Sequence, residues 1–230
     1  MIISHKHKYI FLKTTKTAST SVEIALSKYC GTEDIITQFC QEDEKKRKEL
    51  GYPGVQNCRI SIHQDKLRLY KSLMPPWQKI PYYYNHITAK EVKAYIGDDI
   101  WNSYYKFCVE RNPWERVISM YYWRFKTIPR PSMSEFIESR LPFVLKKRGL
   151  NLYSINGLIA VDKVCRYESL LDELEEVRLQ VGIVKKLTLP HAKSKFREDK
   201  RSFHDILDAK QKEKIAEIFC DEIALYGYKY

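Results

Sequence analysis

Residues 8–29, KYIFLKTTKTASTSVEIALSKY, constrain the fold more than any other stretch of the chain. The apolar run Tyr9-Ile10-Phe11-Leu12 predicts a strand, a loop of lysines and small hydroxylated residues follows, and Val22, Ala25, Leu26 and Tyr29 then recur at helical spacing. Thr20 and Glu23 have the spacing of a capping box at the start of that helix. A loop in this position faces the unpaired N–H groups of the first helical turn and the positive end of the helix dipole. It therefore suits a tetrahedral anion such as phosphate or sulfate. Lys16 adds a point charge, and Thr17, Ser19, Thr20 and Ser21 add hydroxyl donors.

The rest of the chain repeats the strand-then-helix pattern. Residues 34–40 predict a short strand or helical turn, and residues 41–50, where acids and bases alternate, a solvated helix or surface loop. A short strand over 60–63 and a helix over 67–73 precede the aromatic segment 80–87, read as a strand. That segment hands over to a helix over 88–96, with Thr88 and Glu91 as a second capping box, so His86 falls at a strand-to-helix junction where open α/β sheets bind ligands. Residues 104–110 predict a third good strand. Asn112 and Pro113 suit the cap and first position of the helix after it, whose apolar stripe is Trp114, Val117, Ile118, Tyr121 and Phe125. A helix over 134–148 interrupted near Pro142, a last strand over 161–167, a helix over 170–180, a basic loop over 187–200 and a closing helix over 209–225 complete the reading, with the tail 227–230 packing back on the sheet. This alternation predicts an α/β fold, a single domain spanning residues 1–230 in three αβα layers with a central, mainly parallel sheet covered on both faces.

With 44% hydrophobic and 30% charged residues, the 230-residue chain is globular rather than disordered. Its formal net charge of +11 predicts an anionic partner: nucleotide, acidic polysaccharide, nucleic acid or anionic lipid. No helix-turn-helix or zinc-finger signature supports nucleic acid. The six cysteines contain no C-x-x-C pair and no cysteine–histidine cluster at ligand spacing, which argues against zinc. Cys108, Cys165 and Cys220 are expected as buried, reduced thiols. The segment MIISHKHKYIF lacks the apolar core of a signal peptide, and the chain has no long apolar span, so the expected setting is cytoplasmic. A P-loop-like kinase is the competing enzyme class, but G-x-x-x-x-G-K-[ST] and a clear magnesium-binding acid are both missing. A non-enzymatic polyanion-binding protein explains the charge and nothing else.

The phrase Phe11-Leu12-Lys13-Thr14-Thr15-Lys16-Thr17-Ala18-Ser19-Thr20-Ser21 resembles the 5′-phosphosulfate loop of sulfotransferases that use 3′-phosphoadenosine-5′-phosphosulfate (PAPS). A second phrase, from Phe107 through Glu110-Arg111-Asn112-Pro113-Trp114-Glu115-Arg116 to Ser119 and Tyr122, resembles the same family's 3′-phosphate motif. His86-Ile87-Thr88-Ala89, Arg166-Tyr167-Glu168-Ser169-Leu170, Leu189-Pro190-His191 and Leu225-Tyr226-Gly227-Tyr228 follow in family order. The likeness is to the carbohydrate (Golgi-type, family 2) branch in a soluble, bacterial-like form. It implies a P-loop-like sulfotransferase fold and transfer of a sulfuryl group from PAPS to a hydroxyl or amine, with a carbohydrate as the expected acceptor and adenosine 3′,5′-bisphosphate (PAP) released. Thr15 stands where the family usually has proline, Ser19 where it has glycine, and Glu110 where an apolar residue is common.

The resemblance assigns Lys16 to the leaving phosphate and the transferred group, with Lys13 as a competitor. It assigns Lys16, Thr17, Ala18, Ser19, Thr20 and Ser21 to the 5′-phosphosulfate, some of the hydroxyls acting only as helix caps, and Arg111 and Ser119 to the 3′-phosphate. Arg111 could instead pair with Glu110 or Glu115, and Arg116 is expected to be structural. His86 is the expected general base, since a histidine can be unprotonated near neutral pH and still take a proton. An ordinary structural histidine is the alternative, and Glu110 and His63 are other candidates for the base. Lys193, Ser194 and Lys195 are candidates to close over the nucleotide. Tyr82, Tyr83, Tyr84, Tyr121, Tyr122 and Trp123 either stack on sugar rings or pack in the core. No metal is required, because lysine and helix-end amides supply the positive field.

Overall fold

The computed structural model describes residues 1–59, 82–190, 199 and 201–230. The strand expected over 60–63, the helix expected over 67–73, and His63, Lys193, Ser194 and Lys195 lie outside the described residues.

A five-stranded sheet forms the centre, in the order β3-β1-β2-β4-β7. Its strands are β1 (Ile2–Ser4), β2 (Tyr9–Phe11), β3 (Ile35–Ile36), β4 (Tyr105–Glu110) and β7 (Lys163–Arg166), while β5 (Ser154–Ile155) and β6 (Leu158–Ile159) make a separate hairpin. β2, β4 and β7 pair in parallel, but β1 runs antiparallel to both β2 and β3. The sheet is thus mixed rather than mainly parallel in its pairing. The cause is local: only four residues separate β1 from β2, enough for a hairpin and far too few for the crossover that a parallel pair requires.

Helices cover both faces. Successive side chains of a strand point to opposite faces, and the two cores sort accordingly. Tyr9, Phe11, Phe107 and Val109 pack with Val22 and Leu26 of α1 (Ser19–Ser27) and with Leu170, Leu174 and Val177 of a later helix, Leu170–Gln180. Ile3, Ile10 and Cys108 pack on the other face, against Val92 and Tyr95 of the helix Ala89–Ile96, Trp101 of Asp98–Ser103 and Tyr153 of Leu150–Tyr153. A third cluster lies among the helices Pro113–Arg124, Met133–Glu138, Leu141–Lys147 and Ala209–Ile218, around Trp114, Val117, Phe136, Leu145 and Ile215. In chain order, α2 is Gln41–Glu49, α3 Ala89–Ile96, α4 Asp98–Ser103, α5 Pro113–Arg124, α6 Met133–Glu138, α7 Leu141–Lys147, α8 Leu150–Tyr153, α9 Leu170–Gln180, α10 Phe203–Ile206, α11 Ala209–Ile218 and α12 Cys220–Tyr226. Among the described residues no helix is long and apolar enough to cross a membrane.

Several local expectations change. The Thr20–Glu23 capping box does not form: α1 is capped by Ala18 in the left-handed conformation, and Glu23 turns inward to the ammonium groups of Met1 at 2.7 Å and Lys13 at 3.3 Å. The second box, Thr88 with Glu91, forms as expected. Tyr82 to Thr88 make no strand, only a single bridge from Tyr82 to Arg59, and His86 sits in a turn with φ 61°. The helix read over 134–148 is two, α6 and α7, with Pro142 in the first turn of α7. The closing helix also divides, at Phe219, where the backbone leaves helical geometry and the ring is fully buried in the helical cluster. The tail meets both the sheet margin and the helices: the Arg166 guanidinium of β7 lies 5.8 Å from the Tyr228 ring, while the Tyr230 ring meets Trp114 and Phe203 and its hydroxyl donates to the Phe203 and Leu207 carbonyls at 3.3 Å. Cys108 and Cys165 are buried as expected, whereas Cys220 is exposed at the start of α12. The charged α2 is not wholly solvated, since Asp43 and Arg47 are buried.

Phe107 lies at the middle of the sheet, fully buried, with the rings of Phe11 and Tyr9 at 5.1 and 5.8 Å. Phe107→Ala is expected to cost about 3–5 kcal/mol in urea unfolding. A loss below about 1 kcal/mol would contradict its central position.

Candidate functional site

The C-terminal ends of β2, β4 and β7 share one edge of the sheet. Phe11 is in register with Phe107, and Glu110 with Arg166, so the segments that leave these strands emerge side by side. They are the 12–18 loop, the Arg111-Asn112 turn and the Tyr167–Ser169 turn. Ligands of open α/β sheets bind at such an edge.

The 12–18 loop turns sharply because Lys16 and Ala18 both take left-handed backbone conformations, with φ 66° and 60°. Such conformations turn backbone N–H groups toward a common concavity, here continuous with the first amides of α1. The strain, of order 1 kcal/mol for each non-glycine residue, is held by hydrogen bonds from below. Thr14 Oγ1 donates to the Val109 carbonyl and lies 2.7 Å from Thr17 Oγ1 and 3.1 Å from Ser19 Oγ; Thr17 and Ser19 are 2.6 Å apart. Both Thr17 and Ser19 are buried, so their hydroxyls brace the loop in this closed arrangement. Thr20 and Ser21 lie in the first turn of α1, at 9% and 5% exposure. Thr15, in the position of the family's proline, uses the N–H that proline lacks: it donates to the Arg148 carbonyl at 3.1 Å.

The two lysines diverge. Lys13 is buried, bonded to Glu23 and set 3.9 Å over the Phe39 ring. Burial alone raises the Glu23 pKa, but the ammonium groups of Lys13 and Met1 outweigh it and hold the carboxyl below its usual range. Lys16 is half-buried, and its ammonium lies 5.1 Å from the centre of the Trp123 ring on α5.

Arg111 lies with its guanidinium 4.1 Å over the Tyr167 ring and donates through Nη2 to Glu115 at 2.8 Å. Its Nε is buried and has no hydrogen-bond partner among the described residues. Arg111, Glu115, Tyr167, Glu168, Leu170 and Leu189 line a cleft of about 570 Å³, a size suited to a small organic ligand. An orphaned buried donor at the wall of a cleft is what an anionic ligand would satisfy. Glu115, Ser119 and Trp123 are spaced four apart on α5, so one helix face runs from the Arg111 turn toward the Lys16 contact. Ser119 is half-exposed on that face. Asn112 caps α5 through Oδ1, which accepts from the Trp114 and Glu115 amides, and its own N–H donates to Glu168 at 2.7 Å.

His86 Nδ1 lies 2.9 Å from the Lys13 carbonyl oxygen. A carbonyl only accepts, so Nδ1 carries the proton and Nε2 the lone pair. Burial, reinforced by the Lys13 ammonium, pushes the imidazole pKa down to about 3. Glu110 has no such freedom. It is 1% exposed, Oε1 accepts from the Arg111 amide at 3.1 Å and from Arg116 Nη1 at 2.7 Å, and Oε2 accepts from the Tyr153 hydroxyl at 2.9 Å. Its departure from an apolar residue is explained by this partnership with Arg116. Tyr82 is exposed, Tyr83 is buried in the core, and Tyr84 donates to Glu91, whereas Tyr121 and Tyr122 pack in the helical cluster. Thr14, Tyr153 and Tyr167 carry contacts that sequence reasoning did not single out. Glu110 did carry a signal, an acid where an apolar residue is common, but Arg111 beside it competed with Arg116 as the expected partner. Among the described residues no group of His, Cys, Asp and Glu side chains could hold a metal ion.

A family model described as "Sulfotransferase family" matches residues 1–154, two thirds of the chain. That span contains the 12–18 loop, His86, Arg111 and Ser119. An uncharacterized protein of Archaeoglobus fulgidus is 30% identical over 101 residues, covering 42% of this chain and 82% of that protein. No solved structure matches. With the anion-suited loop at the start of α1 and the Arg111 turn beside it on the edge of the sheet, the chain belongs to the sulfotransferase family.

Proposed function

We propose that the protein transfers the sulfuryl group of PAPS to a hydroxyl or amine of an acceptor, with a carbohydrate as the leading acceptor class, and releases PAP. One observation carries this reading: the Lys16 loop and the Arg111 turn leave adjacent parallel strands at the same edge, and the buried Arg111 Nε beside the cleft has no partner among the described residues. Two neighbouring sites for anions suit a nucleotide with phosphates on both its 5′ and 3′ oxygens. In its finer detail the reading takes the fold as a P-loop-like sulfotransferase fold.

The chemistry is in-line displacement at sulfur. The acceptor oxygen or nitrogen forms the new bond to sulfur while the bond from sulfur to the bridging oxygen breaks, and negative charge gathers on that oxygen. Lys16 and the first amides of α1, with the backbone of Thr17 through Ser21, meet the charge where it develops, in a setting arranged before the reaction begins. Arg111 and Ser119 hold the 3′-phosphate. His86 Nε2 accepts the acceptor's proton. An imidazole of pKa about 3 is a weak base, but the incoming anion offsets the Lys13 charge that helps depress it.

A thermal-shift comparison is expected to show stabilisation by PAP and none by ATP; stabilisation by a heparin-like polyanion alone would point to a non-enzymatic binder. Lys16→Ala is expected to lower kcat by roughly 10²–10³-fold in a labelled-PAPS transfer assay and to weaken PAP binding by a smaller factor. The His86 pKa is lowered, so protonation sets in only as pH falls toward 3, and kcat/KM for the nucleotide should show no acid limb near pH 6.5. An inflection there that disappears in His86→Asn would contradict the buried, neutral imidazole. Linkage has the same sign: below pH 6.5 the unfolded chain takes up a proton that the folded chain refuses, so stability falls with falling pH, and less steeply in His86→Asn.

A further inference from the structure

Arg116 is fully buried and does not line the cleft, yet its guanidinium bonds to the 12–18 loop and to the end of β4, from which the Arg111 turn leaves. Nε donates to the Thr15 carbonyl at 2.9 Å, Nη1 to Glu110 Oε1 at 2.7 Å, and Nη2 to the Leu145 and Arg148 carbonyls, each at 3.1 Å. The Arg148 carbonyl also accepts the Thr15 N–H, so the residue before Lys16 is held on both sides. The same Glu110 oxygen that faces Arg116 accepts the Arg111 amide at 3.1 Å. One unbroken path, Thr15 carbonyl to Arg116 to Glu110 to Arg111 amide, therefore joins the peptide preceding Lys16 to the residue that carries the second cation.

Everything around this path is closed. Arg116 is fully buried and Glu110 is 1% exposed. A methyl group on Gly149 would come within 2.5 Å of Arg116 Nη2, so the backbone there approaches as closely as a glycine allows. The second Glu110 oxygen accepts from Tyr153, whose hydroxyl in turn meets that of Tyr226 at 2.9 Å. Burial and the nearby Glu110 carboxylate hold the Tyr153 pKa far above its usual value, so this hydroxyl stays a donor.

We propose that the Arg116–Glu110 pair is a positioning element that fixes the distance and orientation of the two phosphate sites relative to each other, so that one nucleotide engages both at once. The proposal rests on the bisphosphate reading above. Its physical content is pre-organisation: two sites held in rigid register act on a doubly charged ligand as a chelate, and losing the register costs the joint engagement more than either contact alone.

The test measures binding of adenosine 3′-monophosphate, adenosine 5′-monophosphate and PAP by calorimetry to the wild type, Arg116→Lys and Glu110→Gln. Lysine keeps the charge but cannot span three carbonyls and a carboxylate from one planar group, while glutamine keeps the shape and one acceptor. Both variants are expected to bind the two monophosphates within about threefold of the wild type, and PAP at least roughly tenfold more weakly. Equal weakening of PAP and of one monophosphate would mean that Arg116 merely shapes that one site, and unchanged PAP binding would mean that the register is set elsewhere; either overturns the proposal. If one variant fails to fold, the other decides. If PAP binds the wild type no better than the monophosphates do, the bisphosphate reading itself falls, a different outcome from the loss seen only in the variants.

Discussion

The buried contact between Arg116 and Glu110 is the interaction on which the rest of the candidate site depends. Moving two opposite charges out of water is expensive, and a buried pair is often no more stable than a well-packed apolar substitute. What distinguishes this pair is how completely its remaining hydrogen-bonding capacity is used. Three carbonyls take further protons of Arg116, and the Arg111 amide and Tyr153 hydroxyl occupy Glu110. The pair joins loops from distant parts of the sequence, and joining them is something that an apolar core cannot do with the same directionality.

Against that support, the 12–18 loop carries strain in an ordered way. Its left-handed Lys16 and Ala18 are held by a hydroxyl triangle beneath and by the Thr15 peptide at the side. Lys13 is withdrawn into a buried ion pair with Glu23, so of the two lysines of this loop only Lys16 is set at the solvent-facing side, next to Trp123. This division of labour follows from neighbours far away in sequence: Glu23 and Phe39 hold one lysine, α5 meets the other.

The local physics of the chain could be read in advance wherever the signal was itself local. The strand at Tyr9, the helix after it, the cap at Asn112 with Pro113 and the α9 helix match their expectations because each is decided by neighbours within a few residues. The failures fall where a distant partner intervenes. Glu23 had the spacing for a cap, but two buried ammonium groups compete for it. The aromatic run near Tyr83 had strand propensity, but Tyr83 and Tyr84 are taken up by Tyr95 and Glu91 of α3. Likewise the Thr17 and Ser19 hydroxyls could be expected at the site, but their inward bonding to Thr14 depends on a carbonyl of β4. Pairing direction is a different case: it is set locally, by the short β1–β2 hairpin, but β1 itself carried no strand signal of its own in the sequence.

The ends of the sheet have a consequence for how this molecule meets others. Among the described residues one edge is β3, only two residues long and bridged to Gln56, and the other is β7, a four-residue strand that begins with a lysine and ends with an arginine. A margin of two residues and a short margin bearing cations are both poor templates for an incoming strand. A sheet so bordered resists growth by backbone pairing at its margins.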